Sequence, residues 1–257
     1  MLFKTQLALF VSLLAIEICA AKNPKRGLTF CSSNPQDILK ANQTTSVISW
    51  QYNWGNSPPD YLASSGIPYV PMQWGAGGIT NFSTVVKAQK ATSILAFNEP
   101  DLAAQSNMSP TDASKLWQEY IQPLKTSGLR LGAPAVTNAP TGREWLAQFL
   151  GNCPACRPDF IPLHWYGDNI GAFYDYIWAI HGEFPDYPIW ITEFATTSSD
   201  DATVLDFMKQ TIQYLDTLDF VERYAWFGFF RKESGSHYNL LDEHGEVNDL
   251  GRVYLYS

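Results

Sequence analysis

Ser93-Ile94-Leu95-Ala96-Phe97-Asn98-Glu99-Pro100 contains a short apolar run that ends in a carboxylate. A run of this length, closed by Asn and Pro, reads as a strand buried on both faces, as in a parallel sheet. Pro100 cannot donate to a ladder and biases its predecessor toward extended geometry, so the backbone should leave the strand just after Glu99. A second run of the same kind, Pro188-Ile189-Trp190-Ile191-Thr192-Glu193-Phe194, places Glu193 after its own buried strand.

Working outward, similar runs recur at 26–30, 47–51, 68–73, 129–133, 160–166 and 224–229, which with the first two make eight candidate strands. Helical periodicity fits the intervals 111–126, 142–150, 171–182 and 200–217, and brief helices fit 35–40, 58–64 and 82–90. Strands alternating with helices predict a parallel α/β fold, and eight units predict a single (β/α)8 TIM barrel. In that architecture the site lies at the C-terminal strand ends, where Glu99 would follow the fourth strand and Glu193 the seventh.

The first residues carry Lys4, an apolar stretch from Leu7 to Ile18, then Cys19, Ala20 and Ala21 ahead of Lys22-Asn23-Pro24. This reads as a secretory leader over 1–21, too short to span a bilayer, with the barrel domain over 22–257. The protein is therefore expected to be secreted, extracellular or in a cell wall. The net charge of −8, with no Lys/Arg cluster, argues against nucleic acid and anionic membranes, leaving an uncharged partner. A monomer is expected.

Three cysteines remain beyond the leader: Cys31, Cys153 and Cys156. The Cys153-Pro154-Ala155-Cys156 spacing suits a redox motif, half a zinc site or a small disulfide, and an oxidising compartment favours the disulfide, leaving Cys31 a free thiol. Sequons at Asn42, Asn81 and Asn107 read as surface glycans. No cluster has metal-ligand spacing, no Gly-rich phosphate loop follows a strand and no Gly-x-Ser-x-Gly occurs, so neither a metal nor a cofactor is expected.

Two carboxylates converging on one barrel mouth suit glycoside hydrolysis, which needs a proton donor and a nucleophile or stabiliser. The contexts Asn98-Glu99-Pro100 and Thr192-Glu193-Phe194 resemble the acid/base and nucleophile signatures of clan A retaining glycosidases. More narrowly, the chain resembles the fungal Asl1-like glycosyl hydrolases, glycoside hydrolase family 128. The similarity runs in order through Arg26-Gly27-Leu28, Tyr52-Asn53-Trp54, Pro71-Met72-Gln73-Trp74, Phe97-Asn98-Glu99-Pro100-Asp101, Gly132-Ala133-Pro134-Ala135, His164-Trp165-Tyr166-Gly167, Trp190-Ile191-Thr192-Glu193-Phe194-Ala195 and Tyr224-Ala225-Trp226-Phe227.

The resemblance implies retaining hydrolysis of β-1,3-glucan, with Glu99 as general acid/base and Glu193 as nucleophile. It also implies that Asn98 bonds the sugar 2-hydroxyl and that Tyr166 donates to Glu193. His164 shares the Tyr166 face of its strand by period-two alternation and is a candidate ligand contact. With nine Trp in the chain, Trp54, Trp74 and Trp226 at strand ends are candidate sugar platforms, and Asn53 and Gln73 candidate hydrogen-bonding residues. Trp50, Trp165 and Trp190, inside strands, and Trp117, Trp145 and Trp178, in helices, read as structural. The competing readings are a glucan-binding protein on the same barrel and a clan A enzyme for another β-glycan.

Overall fold

The computed structural model describes residues 21–30, 34–41, 44–233 and 235–257. The leader expected over 1–21, apart from residue 21, and Cys31 and the Asn42 sequon lie outside the described residues. Among the described residues seven parallel strands form: β1 (Arg26–Thr29), β2 (Trp50–Tyr52), β3 (Ser93–Ile94), β4 (Arg130–Leu131), β5 (Ile161–Gly167), β6 (Ile189–Thr196) and β7 (Val221–Trp226). They pair in the order β2-β1-β7-β6-β5, with β3 and β4 paired separately.

The stretch 68–73, expected as a strand, is not a continuous one. Pro68 and Pro71 remove two ladder donors. What survives are parallel bridges, Gln51 to Tyr69 and Met72 to Leu95. Further bridges, Gly132 to Phe160 and Val136 to Leu163, join the β4 region to β5. Parallel pairing thus passes from each segment to the next all the way round, which is the (β/α)8 barrel with its third stave reduced to bridges.

The barrel interior holds Trp50, Tyr52, Val70, Met72, Leu95, Phe160, Trp190 and Ala225. Phe160 and Trp190 stack with ring centroids 3.8 Å apart, and Trp50 lies 5.7 Å from Trp190. Rings this large fit only because glycines face them. A Cβ on Gly27 would sit 2.1 Å from the Trp50 ring, and one on Gly132 2.7 Å from Phe160. The larger apolar core lies between barrel and helices.

The outer helices are α1 (Asp60–Ala63), α2 (Ile79–Ala88), α3 (Pro110–Leu116), α4 (Pro140–Asn152), α5 (Ile170–Glu183), α6 (Asp201–Thr217) and α7 (Asp249–Tyr256). In α6, Val204, Phe207, Met208, Thr211, Ile212 and Leu215 form the buried stripe, and Asp200 caps the start through Thr203 N. The single helix expected over 111–126 is instead α3, a π turn (Trp117–Ile121) and a 3-10 segment (Gln122–Ser127). Pro123 has no N–H to continue the α ladder, so the bonding register changes there.

Cys153 and Cys156 form a disulfide just beyond α4. Asn81 and Asn107 are both exposed. No helix among the described residues is long and apolar enough to cross a membrane.

Candidate active site

Glu99 follows β3, but its backbone is left-handed (φ 41°), not extended. Its N–H donates to Ala135 O and its carbonyl accepts from Leu102, so a tight turn overrides the preference set by Pro100. Glu193 lies within β6, which continues to Thr196, and not beyond the strand end as expected. A register irregularity between β5 and β6 falls at Leu163 and His164, where His164 comes opposite Glu193.

The two glutamates meet. One oxygen of each carboxylate and a ring nitrogen of His164 all lie within 4.8 Å of one another. Both acids are almost buried, Glu99 at 7% exposure and Glu193 at 5%. They open on a cavity of about 320 Å³ lined by Trp54, Trp74, Asn98, Gln105, Tyr166 and Phe227 as well.

Glu193 is held by donors on both oxygens. Tyr166 OH donates to Oε2 at 2.6 Å, and Oε1 accepts from the Trp54 indole at 2.7 Å and from Tyr52 OH at 3.3 Å. Burial first, then the charge of Glu193, pushes both phenols far above the ordinary tyrosine value, so each remains a donor at any working pH. Such charge-assisted bonds are the strong ones in a site shielded from water.

His164 is fully buried. Its Nδ1 is 2.8 Å from Glu99 Oε1, and its Nε2 is 3.3 Å from Glu193 Oε1 but off hydrogen-bonding geometry. Burial disfavours the imidazolium, yet Glu193, and then the bond and charge of Glu99, outweigh it and raise the His164 pKa above 6.5. A histidine expected to touch ligand instead bridges the two acids, because no part of it reaches the cavity.

Other expectations are revised too. Trp226 is wholly buried and gives its indole N–H to Tyr238 O at 2.7 Å, so it is a core residue and not a platform. Its neighbour Phe227 takes the cavity wall. Gln73 is buried at 2% exposure, and its amide donates to Gly75 O and Gly77 O, which pins the adjoining loop. Asn53 accepts from Tyr69 OH and Gly55 N, which commits its carbonyl to the turn after β2. Trp178, expected as structural, is 46% exposed on α5.

Trp54, Trp74, Asn98 and Tyr166 do line the cavity, and Trp74 is 40% exposed. Asn98 donates to Gln105 Oε1 at 3.3 Å while its own Oδ1 has no partner. Sequence reasoning missed Tyr52, Gln105 and Phe227 as site residues. Tyr52 shares the inward face with Trp50 by alternation, a usable signal; Gln105 sits in a loop that carries none.

A barrel with two buried carboxylates this close defines a class of glycosidase-like proteins, and the comparisons agree. The glycosyl hydrolase catalytic core family matches residues 27–254, and the chain belongs to that family. It is 34% identical over 220 residues to alkali-sensitive linkage protein 1 of Schizosaccharomyces pombe, covering 81% of this chain and 40% of that protein, so it spans about two fifths of its relative's length. Among solved structures it is similar to a family 128, subgroup VI exo-β-1,3-glucanase from Aureobasidium namibiae, with TM-score 0.82 and 28% identity over 91% of this chain and 96% of that one. It is also similar to a subgroup I endo-β-1,3-glucanase variant from Amycolatopsis mediterranei in complex with laminarihexaose, with TM-score 0.75 and 33% identity over 90% and 98%.

Proposed function

We propose that the protein is a retaining β-1,3-glucan hydrolase in which Glu99 is the general acid/base and Glu193 the nucleophile. The observation that carries this reading is that one carboxylate oxygen of Glu99 lies within 4.8 Å of one of Glu193, too close for a water to sit between them in line. Retaining enzymes hold their carboxyl groups about 5–5.5 Å apart, while inverting ones need roughly 6.5–9.5 Å to admit a water between them. The β-1,3-glucan assignment is supported by the substrates named for the similar structures.

Glu99 gives its proton to the leaving glycosidic oxygen as the C1–O bond breaks, and Glu193 closes a C1–O bond from the opposite face. Glu99 then removes a proton from water, whose oxygen attacks C1 and releases Glu193. Tyr166, Trp54 and Tyr52 hold the nucleophile aimed. Trp74 offers a face to sugar C–H groups, and Asn98 stands where a 2-hydroxyl would be bound.

Export is part of the proposal, supported by the apolar segment after Lys4 and by the Cys153–Cys156 disulfide. The test is reducing-end release from laminarin, with NMR of the first-formed anomer. β-Product and an inactive Glu193→Gln variant support the reading; binding without release, or α-product, overturns it.

A further inference from the structure

The Trp54 indole N–H and the Glu193 Oε1 atom it meets lie 2.7 Å apart, and the ring of the same residue walls the cavity. Resting on the retaining mechanism proposed above, we infer that Trp54 is a positioning residue that fixes which oxygen of Glu193 attacks: Oε2 forms the bond to the sugar, and Oε1, anchored by Trp54, becomes the ester carbonyl.

Lone pairs distinguish the two oxygens. A carboxylate oxygen accepts about two strong hydrogen bonds in its plane. Oε1 already takes the Trp54 indole at 2.7 Å, shares the single Tyr52 hydroxyl proton (3.3 Å) with Thr192 O (3.1 Å), and is crowded by His164 Nε2 at 3.3 Å. Among the described residues Oε2 takes only Tyr166 OH, at 2.6 Å. Oε2 is the less encumbered oxygen for an anomeric carbon, and attack from Oε1 would displace the fixed Trp54 bond and the shared Tyr52 contact.

The Trp54 N–H is not free to move aside. Its backbone is left-handed (φ 64°), a costly conformation for a bulky residue, which persists only where the surroundings enforce it. The indole is enclosed by Tyr52 at 5.5 Å, Phe227 at 6.0 Å and Phe230 at 6.4 Å, measured between ring centroids. Trp54 also borders two further cavities, one of about 510 Å³ beside Gln73 and Gly77 and one of about 350 Å³ beside Phe230 and Tyr238. A sugar chain resting on this ring presses on the group that aims the nucleophile.

In the step itself, the C1–Oε2 bond forms as the C1–leaving-oxygen bond breaks, the leaving oxygen takes the Glu99 proton, and negative charge on Glu193 is lost. The Trp54 N–H stays on Oε1 throughout. Tyr166 keeps its bond to Oε2 on the remaining lone pair.

Two measurements test this. First, the wild-type protein is reacted with a 2-deoxy-2-fluoro-laminaribiosyl fluoride and the trapped adduct crystallised. An ester through Oε2, with the Trp54 indole still on Oε1, supports the inference. An ester through Oε1 overturns it while leaving the retaining mechanism intact, whereas failure to label Glu193 at all counts against that mechanism. Second, Trp54→Phe keeps an aromatic wall, though a smaller one, and removes the donor. The expected result is a roughly 10- to 100-fold fall in kcat with KM within about two-fold, and slower adduct formation. Unchanged kcat, or a loss confined to KM, would make Trp54 a platform only.

Discussion

His164 stands between two acids, with Nδ1 2.8 Å from Glu99 Oε1 and Nε2 on the Glu193 side. The folded protein therefore binds a proton at His164 more tightly than the unfolded chain does, despite the burial that opposes it. A raised pKa contributes stability that is complete below the unfolded value near 6.5 and lost as pH rises through the folded value. The unfolding free energy of the wild type should fall across that window by at most about 1.4 kcal/mol per pH unit from this group, and the thermal midpoint with it. His164→Gln should flatten the profile; calorimetry showing identical profiles would remove His164 from the account.

The two glutamates should separate by leaving group. Glu99→Gln should lose about 10²- to 10⁴-fold on laminarin yet keep far more activity on a 2,4-dinitrophenyl glycoside, which needs no proton. Glu193→Gln should fail on both. Added azide should give a β-glycosyl azide with Glu99→Ala and an α-azide with Glu193→Ala, and the reverse pattern would exchange their roles.

Tyr166→Phe deletes the donor to Glu193 Oε2 and preserves the ring that meets Phe227 edge-on. A hydrogen bond to a charged group is worth roughly 1.5–3 kcal/mol, so kcat should fall about 10- to 100-fold with little change in unfolding midpoint. A variant with wild-type kcat would show that the bond is not maintained during turnover.

Trp74 and Trp226 should behave oppositely. Trp74→Ala should raise KM for long laminari-oligosaccharides and spare stability, because its ring is half in solvent. Trp226→Ala empties a fully buried site and should cost about 3–5 kcal/mol in urea unfolding. Equal stability losses in the two variants would contradict their placement.

Gly27→Ala should destabilise the barrel by about 1–3 kcal/mol, since the new Cβ would stand 2.1 Å from the Trp50 ring. The same unfolding measurement checks it, and a loss within experimental error would mean the Trp50 ring can shift.

The order of buried runs sufficed for the barrel, because a parallel sheet covered on both faces writes itself as apolar stretches between helices. The stave at 68–73 was less regular than its apolar content suggested, since prolines remove donors without lowering hydrophobicity. Glu99 and Glu193 were legible because a charge next to a buried strand is conspicuous. Trp226 was misread as a platform because local sequence does not say on which side of the barrel wall a strand-end tryptophan falls.

By itself, the amino-acid order determined the parallel α/β class, the rim on which two acids gather and the disulfide-compatible pair at Cys153 and Cys156; these follow from periodicity, strand ends and short spacing. Only the folded chain decided that His164 is enclosed between the carboxylates, that Tyr52 and Trp54 share Oε1, and that the Gln73 amide N–H groups and the Asn53 carbonyl are committed to their own loops. Those outcomes depend on distances between residues remote in the chain, set by the closure of the ring and by a register irregularity of one residue, which no local pattern encodes.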